Sequence, residues 1–272
     1  MKINKKIIFT VAIMLNIVIL LCGCNFLKNT IVKLEGEVAT KEYDTEEKID
    51  EISVRGIYGI SGSLKLNVKP SDDNKVEIKC QEDMFENGLN VECVDGQLSI
   101  SVSGTKLFKM ENFEITVYAK PEKIKISGAY DIDIGASGQD KVSVLIDGTA
   151  KGDFDFSDCR EVDIDINGTI QVDADIKGCE KFSMSVDGAG KTDINGDAEE
   201  FSCSISGACD IDAYGLKTKQ AKINIKGAGN AKISVEKELD ATINGAGNIK
   251  YKGDPEVKEN LRGLGKISKA DD

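Results

Sequence analysis

The sequence predicts an all-β fold, a parallel β-solenoid of about eight 18–20-residue rungs behind an N-terminal β cap. Three observations predict it. An apolar-x-Gly step recurs at Ile126-Ser-Gly128, Ile146-Asp-Gly148, Ile166-Asn-Gly168, Val186-Asp-Gly188, Ile205-Ser-Gly207, Ile225-Lys-Gly227, Ile243-Asn-Gly245 and Leu261-Arg-Gly263, with glycine spacings of 20, 20, 20, 19, 20, 18 and 18. The residues flanking each glycine alternate apolar and polar in the same phase from repeat to repeat. The 272 residues include 27 Gly but 3 Pro, and are 40% apolar but only 6% aromatic, so the core must be largely aliphatic and the corners made by glycine.

Residues 1–23 read as an export signal. Lys2, Lys5 and Lys6 form a basic start, and Ile7 to Leu21 is apolar except for Thr10 and Asn16. That run is shorter than the about 20 apolar residues a spanning helix needs. It ends in Leu21-Cys22-Gly23-Cys24, which resembles the bacterial lipoprotein lipobox, with Cys22 a mild departure from the usual residue. The resemblance implies cleavage before Cys24 and a diacylglycerol on its thiol, so that acyl chains such as palmitate hold the chain to a membrane, facing outside the cytoplasm at the extracellular face or in the periplasm. The plainer alternative is a buried apolar N-terminal helix. Loss of the three lysines takes the net charge from −12 to −15. Residues 24–48 are polar, mixed in charge and without a sustained period, and are expected to be a tether.

Residues 49–120 are expected to form the β-rich cap. Strands are predicted at Leu64–Val68, Lys75–Cys80, Leu89–Val94, Gln97–Val102 and Phe113–Tyr118, separated by turn-rich pieces such as Pro70 to Asn74. Their spacing is irregular, as in a terminal unit that closes a repeat array.

Residues 121–272 are the repeat solenoid with a charged C-terminal cap. Aligned on the glycine, position −6 holds Val142, Val162, Phe182, Phe201, Ala221 and Leu239, and position −4 holds Val144, Ile164, Met184, Cys203, Ile223 and Ala241. After the glycine, +4 and +6 continue the pattern with Ile132/Ile134, Val172/Ala174, Ile211/Ala213 and Ala231/Ile233. Period-2 alternation marks half-buried strands, two short ones per repeat joined near the glycine, where a corner can take positive φ. One repeat cannot bury its apolar face, whereas eight stacked at about 4.8 Å enclose a core roughly 35–40 Å long. A β-sandwich is the rival, but it needs no residue-by-residue correspondence between strands. Lys250 to Asp272, with Pro255, is expected to blunt the terminal edge.

The composition narrows the chemistry. With no His, a histidine-dependent triad or zinc site is excluded, and the acidic balance argues against nucleic-acid binding. Position +5 carries Asp133, Asp153, Asp173, Asp193 and Asp212, one per rung and about 5 Å apart, with Asp155 and Asp175 two residues further on. Neighbouring carboxylates at that spacing repel by roughly 1 kcal/mol even in water. Ca²⁺ would relieve the repulsion, and these five aspartates are the candidate metal column, although the plainer reading is a solvated acidic strip. No cofactor is otherwise expected. A carbohydrate-active enzyme would need a cleft with clustered carboxylates and aromatic platforms, yet the carboxylates recur by rung, Trp is absent, and Arg55, Arg160 and Arg262 are the only arginines, so no catalytic residue is assigned. Tyr130, Tyr214 and Tyr251 are the aromatic candidates for a surface patch.

The cysteines leave alternatives open. Cys159 and Cys179 each precede a repeat glycine by nine residues, which stacks them within the about 4.4–6.8 Å range of a disulfide. Cys80 and Cys93 lie in adjacent predicted strands and could close a short loop worth about 3 kcal/mol. Cys203 falls at a core position. The pairing of these and of Cys209 stays undecided against buried thiols that act as small hydrophobes.

The run Ile225-Lys-Gly-Ala-Gly-Asn230, Ile243-Asn-Gly-Ala-Gly-Asn248 and Leu261-Arg-Gly-Leu-Gly-Lys266 resembles the signature of the putative auto-transporter adhesin, head GIN domain family, and Ile52 to Ile57 and Asp95 to Ile100 are also similar to it. The resemblance covers roughly residues 50–267. It implies a bacterial envelope protein with a repetitive β fold and no assigned enzymatic activity. The expectation is a lipid-anchored, non-enzymatic module that presents an acidic surface to a protein or glycan ligand. A structural or sensing component acting by protein contact is the second reading, and a Ca-dependent polysaccharide-active enzyme the third.

Overall fold

The computed structural model describes residues 31–34, 36–55, 57, 59–61, 64–86, 88–102, 107–109 and 112–270. The expected export signal and Cys24 lie outside them.

The chain is a parallel β-solenoid of about seven turns, bounded by the eight repeat glycines. Its body is β11 (Lys123–Ser137), β12 (Lys141–Ser157), β13 (Glu161–Gly227) and β14 (Asn230–Gly245), followed by β15 (Asn248–Lys252), β16 (Glu256–Gly263) and β17 (Lys266–Lys269). The register follows the glycine alignment: Gly128 lies beside Gly148, Gly148 beside Gly168, Gly227 beside Gly245 and Gly245 beside Gly263. Strands do not end at the corners as the sequence suggested. β13 runs 67 residues without a break, because the backbone ladder continues through each glycine.

The corner explains why only glycine serves there. The amide of the residue after each glycine donates to the glycine carbonyl one turn earlier, as Ala228 N does to Gly207 O at 2.9 Å, Ala246 N to Gly227 O at 2.8 Å and Leu264 N to Gly245 O at 2.8 Å. That carbonyl points into the space a Cβ would occupy on the glycine above it, so a Cβ on Gly227 would overlap Gly207 O. Gly227 also has φ 137°, a region that side-chain-bearing residues rarely adopt.

The inward positions form the core. The predicted −6, −4, +4 and +6 residues are all buried, each larger aliphatic contributing about 1.5–3 kcal/mol. Phe182 and Phe201, equivalent positions on successive turns, stack with ring centroids 5.3 Å apart. Position +2 is inward as well, holding Ala150, Ile170 and Cys209, and also Tyr130, which is 3% exposed. Tyr130 is therefore a core residue and not part of a surface patch.

At the N-terminal end, β3 (Glu51–Arg55) pairs with β11 and with β8 (Gln97–Val102), whose other side carries β7 (Leu89–Val94) antiparallel. On the second face β5 (Leu64–Lys69) lies between β11 and β10 (Phe113–Tyr118), followed by β6 (Lys75–Gln81) and β2 (Val38–Asp44). A five-residue helix, α1 (Glu82–Glu86), buries Met84. The short strands β1 (Ile31–Lys33), β4 (Gly59–Ser61) and β9 (Leu107–Lys109) make a separate three-stranded sheet. The tether expected over 24–48 is corrected at β2. As an edge strand it is polar on both sides, with only Ala39 and Tyr43 half-buried, and so gives no alternation to read.

Gly227→Ala should cost about 3 kcal/mol or more, or prevent folding, while Ala228→Ser at the exposed neighbouring position should change stability by under about 0.5 kcal/mol. Urea unfolding of both variants checks this, and equal, small losses would refute the corner argument.

Candidate functional site

The outward positions form columns of their own. Position +5 places Asp133 beside Asp153, Asp153 beside Asp173, and Asp212 beside Lys232, which in turn lies beside Lys250. Asp133, Asp153 and Asp173 are exposed, while Asp193 and Asp212 are half-buried. The column thus reverses sign toward the C-terminal end. The repeat alignment that yields the aspartates also yields Lys232 and Lys250, which were not singled out from the sequence.

Local pairs answer the carboxylates at the C-terminal half of the column. Lys191 Nζ lies 2.6 Å from Asp193 and Lys232 Nζ 2.8 Å from Asp212. Partial burial alone would raise the Asp212 carboxyl, but the Lys232 ammonium and the Tyr214 amide that donate to it bring it below the usual carboxylate range. Two residues earlier in the repeat, the Asn230 amide donates to Asp210 at 2.7 Å and the Asn248 amide to Asn230 at 2.9 Å, a side-chain ladder that climbs one turn per step. Lys252 lies over the Tyr214 ring at 4.4 Å. Asp210, Asp212, Lys232 and Lys250 line one shallow depression on this face.

The aspartates do not converge on one point. They stand in single file, and among the described residues no group of three or more His, Cys, Asp or Glu is disposed to hold a metal ion. Arg160 is committed to Asp140, with Nε–Oδ1 2.6 Å and Nη2–Oδ2 3.0 Å, and to Glu161 at 2.8 Å, so it braces a corner between turns. Of the three surface tyrosines expected, Tyr214 alone lies in this depression's neighbourhood, and Tyr251 is half-buried against the core.

The opposite face carries one strained acid. Asp163 is half-buried, and burial together with the neighbouring Asp165 raises its carboxyl despite nearby Lys141.

Cys80, Cys93, Cys159, Cys179, Cys203 and Cys209 are free thiols, and all but Cys93 are buried. Burial pushes Cys80 up to about 12 and Cys179 and Cys209 to about 11, and Cys203 well above the usual range. Such thiols carry little thiolate at neutral pH and behave as small core hydrophobes.

Residues 57–255 match a family model described as "Putative auto-transporter adhesin, head GIN domain". Among solved structures, a putative adhesin from Parabacteroides merdae is 22% identical, covers 89% of this chain and 100% of its own, and superposes with a TM-score of 0.73. A putative adhesin from Parabacteroides distasonis is 24% identical, with 88% and 100% coverage and a TM-score of 0.71. A putative lipid binding protein from the same organism is 18% identical, with 89% and 100% coverage and a TM-score of 0.73. These likenesses establish a shared fold. No curated protein matches the chain. No helix among the described residues is long and apolar enough to cross a membrane.

Two outcomes are expected. Asp163→Asn should raise the Tm at neutral pH. A carboxyl with a raised folded-state pKa destabilises in full above that value, so the gain should fade as pH drops and be absent below the unfolded value of about 3.9. Thermal melts across that range check it, and a gain that persists at low pH would contradict the burial argument. Thiol labelling of the native protein should reach Cys93 first, and all six cysteines beyond Cys24 should react after unfolding without reductant. A count two short would identify a disulfide.

Proposed function

The chain belongs to the putative auto-transporter adhesin, head GIN domain family, and from that premise we propose that it is a non-enzymatic binding module of the bacterial envelope, anchored by lipid on Cys24. The ligand is a protein or glycan met on the flat outer face that carries Asp133, Asp153 and Asp173. One observation carries this reading: the five aspartates repeat along one column, turn after turn, and do not converge on a cleft. A periodic ridge suits an extended partner that offers repeated cationic or hydroxyl groups, because each turn presents the same donor and acceptor set about 4.8 Å further along. The face needs no reorganisation to bind, since its backbone is held on both sides by the ladder. Lipid on Cys24 would add the membrane attachment, with the solenoid outside the cytoplasm.

The test is capture from envelope extract and binding to a glycan array, with wild type and a variant carrying Asp133→Asn, Asp153→Asn and Asp173→Asn. A reproducible ligand lost at least about tenfold in affinity in the variant, with an unchanged melting curve, supports the reading. A ligand that binds both proteins equally would move the binding face elsewhere. Metabolic labelling with a fatty-acid analogue, abolished by Cys24→Ala, tests the anchor separately.

A further inference from the structure

The outward column three residues after each repeat glycine changes character along the face. It holds Asp131, Lys151, Gln171 and Lys191, then Asp210, Asn230 and Asn248, then Lys266. Three short side chains on successive turns thus lie between longer ones, and the surface sinks there. This is the depression that Asp210, Asp212, Lys232 and Lys250 line, about 340 Å³ in volume, with the buried strand residues Ile211 and Ala231 beneath it. Its volume falls at the small end of the about 300–1,000 Å³ of ligand clefts.

The two sides of the depression differ. On the side of the earlier turns stand carboxylates. Asp210 accepts from the Asn230 amide through Oδ1 at 2.7 Å, which leaves Oδ2 as an acceptor. Asp212 is held by Lys232 and by the Tyr214 amide, and Lys191 is taken by Asp193 at 2.6 Å. On the side of the later turns stand exposed cations, Lys250 and Lys252, with Lys266 beside Asn248. Among the described residues no carboxylate pairs with these three, and Lys252 reaches only the Tyr214 ring at 4.4 Å. Asp254, the acid that follows in the same turn, is taken by Lys269. Between the two sides runs the amide ladder, in which Asn248 donates to Asn230 at 2.9 Å and keeps its own carbonyl oxygen as an acceptor.

We propose that this depression binds an acidic sugar, a hexuronic acid unit of a polysaccharide, with its carboxylate on Lys250 and its hydroxyls on Asp210 Oδ2 and the Asn248 carbonyl oxygen. Lys252 and Lys266 add to the positive potential at the carboxylate end. A bare anion such as phosphate would meet Lys250 but also the charges of Asp210 and Asp212. A neutral sugar would gain nothing from the free lysines. A ring with hydroxyls on one side and a carboxylate on the other answers both sides with charge-assisted hydrogen bonds. The ladder fixes Asn230 and the Nδ2 end of Asn248 in advance, which reduces the ordering cost of binding. The inference rests on the reading of the chain as a binding module, but it places this ligand on later turns than Asp133, Asp153 and Asp173.

Titration of the full-length chain with trigalacturonate, the neutral galactose trimer, inorganic phosphate and poly-glutamate tests this. Wild type should bind trigalacturonate at least about tenfold more tightly than any of the other three at about 0.15 M salt. Lys250→Gln with Lys252→Gln should weaken it by about tenfold or more, whereas the charge-matched Lys226→Gln with Lys237→Gln, at exposed positions outside the depression, should not. Asp210→Asn, which keeps the oxygen that Asn230 needs, should weaken it about fivefold with an unchanged melting curve. A patch that only attracts anions would respond in the opposite sense and bind more tightly once Asp210 loses its charge, and that result overturns the inference. Equal losses in the two lysine pairs overturn it too, as does binding of phosphate or poly-glutamate as tight as that of the trimer. A trimer that does not bind overturns this site and leaves the acidic ridge to its own test.

Discussion

The hydrogen bond from the residue after each repeat glycine to the glycine carbonyl one turn below fixes the rest of the molecule. It holds the corner at the same height and angle on every turn, and it fills the place a side chain would need. Once it is made, the residues before and after the corner have no freedom of register. A slip of one residue would turn every apolar side chain outward and every aspartate inward. The repeat length can therefore change only away from this corner, and it does so: between β13 and β14 the register shifts lie between Ala213 and Lys217 and between Thr218 and Gln220, where the spacing shortens from 20 to 18.

Fixed register turns sequence positions into columns, with opposite consequences inside and outside. Inside, identical neighbours are an advantage, because aliphatic chains and the Phe182–Phe201 pair stack along the axis. Outside, identical charged neighbours are a cost. The column answers it with a cation from a neighbouring position, as at Lys191, with a change to lysine within the column itself, as at Lys232, and beside it with side-chain amides that step from turn to turn, as from Asp210 through Asn230 to Asn248. Asp163 has no such answer beyond Lys141, and burial compounds the effect of Asp165.

Much of this was legible in the sequence because a solenoid writes its geometry as a period. The glycine step gave the turn and its phase, and the alternation around it gave the −6, −4, +4 and +6 core positions. Five of the cap strands, β5, β6, β7, β8 and β10, were legible from local alternation, but β3 and the short β4 and β9 were not singled out, and the order was not legible, since β5 joins β11 and β10 in parallel across large sequence separations. Position +2 was readable from Ala150, Ile170 and Cys209 but was masked by the tyrosine at its first occurrence. The strand β2 left no pattern because an edge strand with two polar sides lacks the contrast that periodicity detects. The column itself was legible, and so was its reversal at Lys232 and Lys250. What the period could not convey is the height of each charge above the surface and which neighbour reaches it, because side-chain pairing varies from turn to turn while the backbone does not.

A ladder that each turn extends on its own terms has no closing contact to set the number of turns. A barrel is complete at one strand count, whereas this stack is complete at any count for which its ends are finished. Gain or loss of one repeat of 18–20 residues would move the distal end by about 4.8 Å and leave the cross-section, the core and the corner bond as they were. The repeat number thus acts as a ruler: the reach of the protein is inherited separately from its shape, and can drift in steps of a single turn.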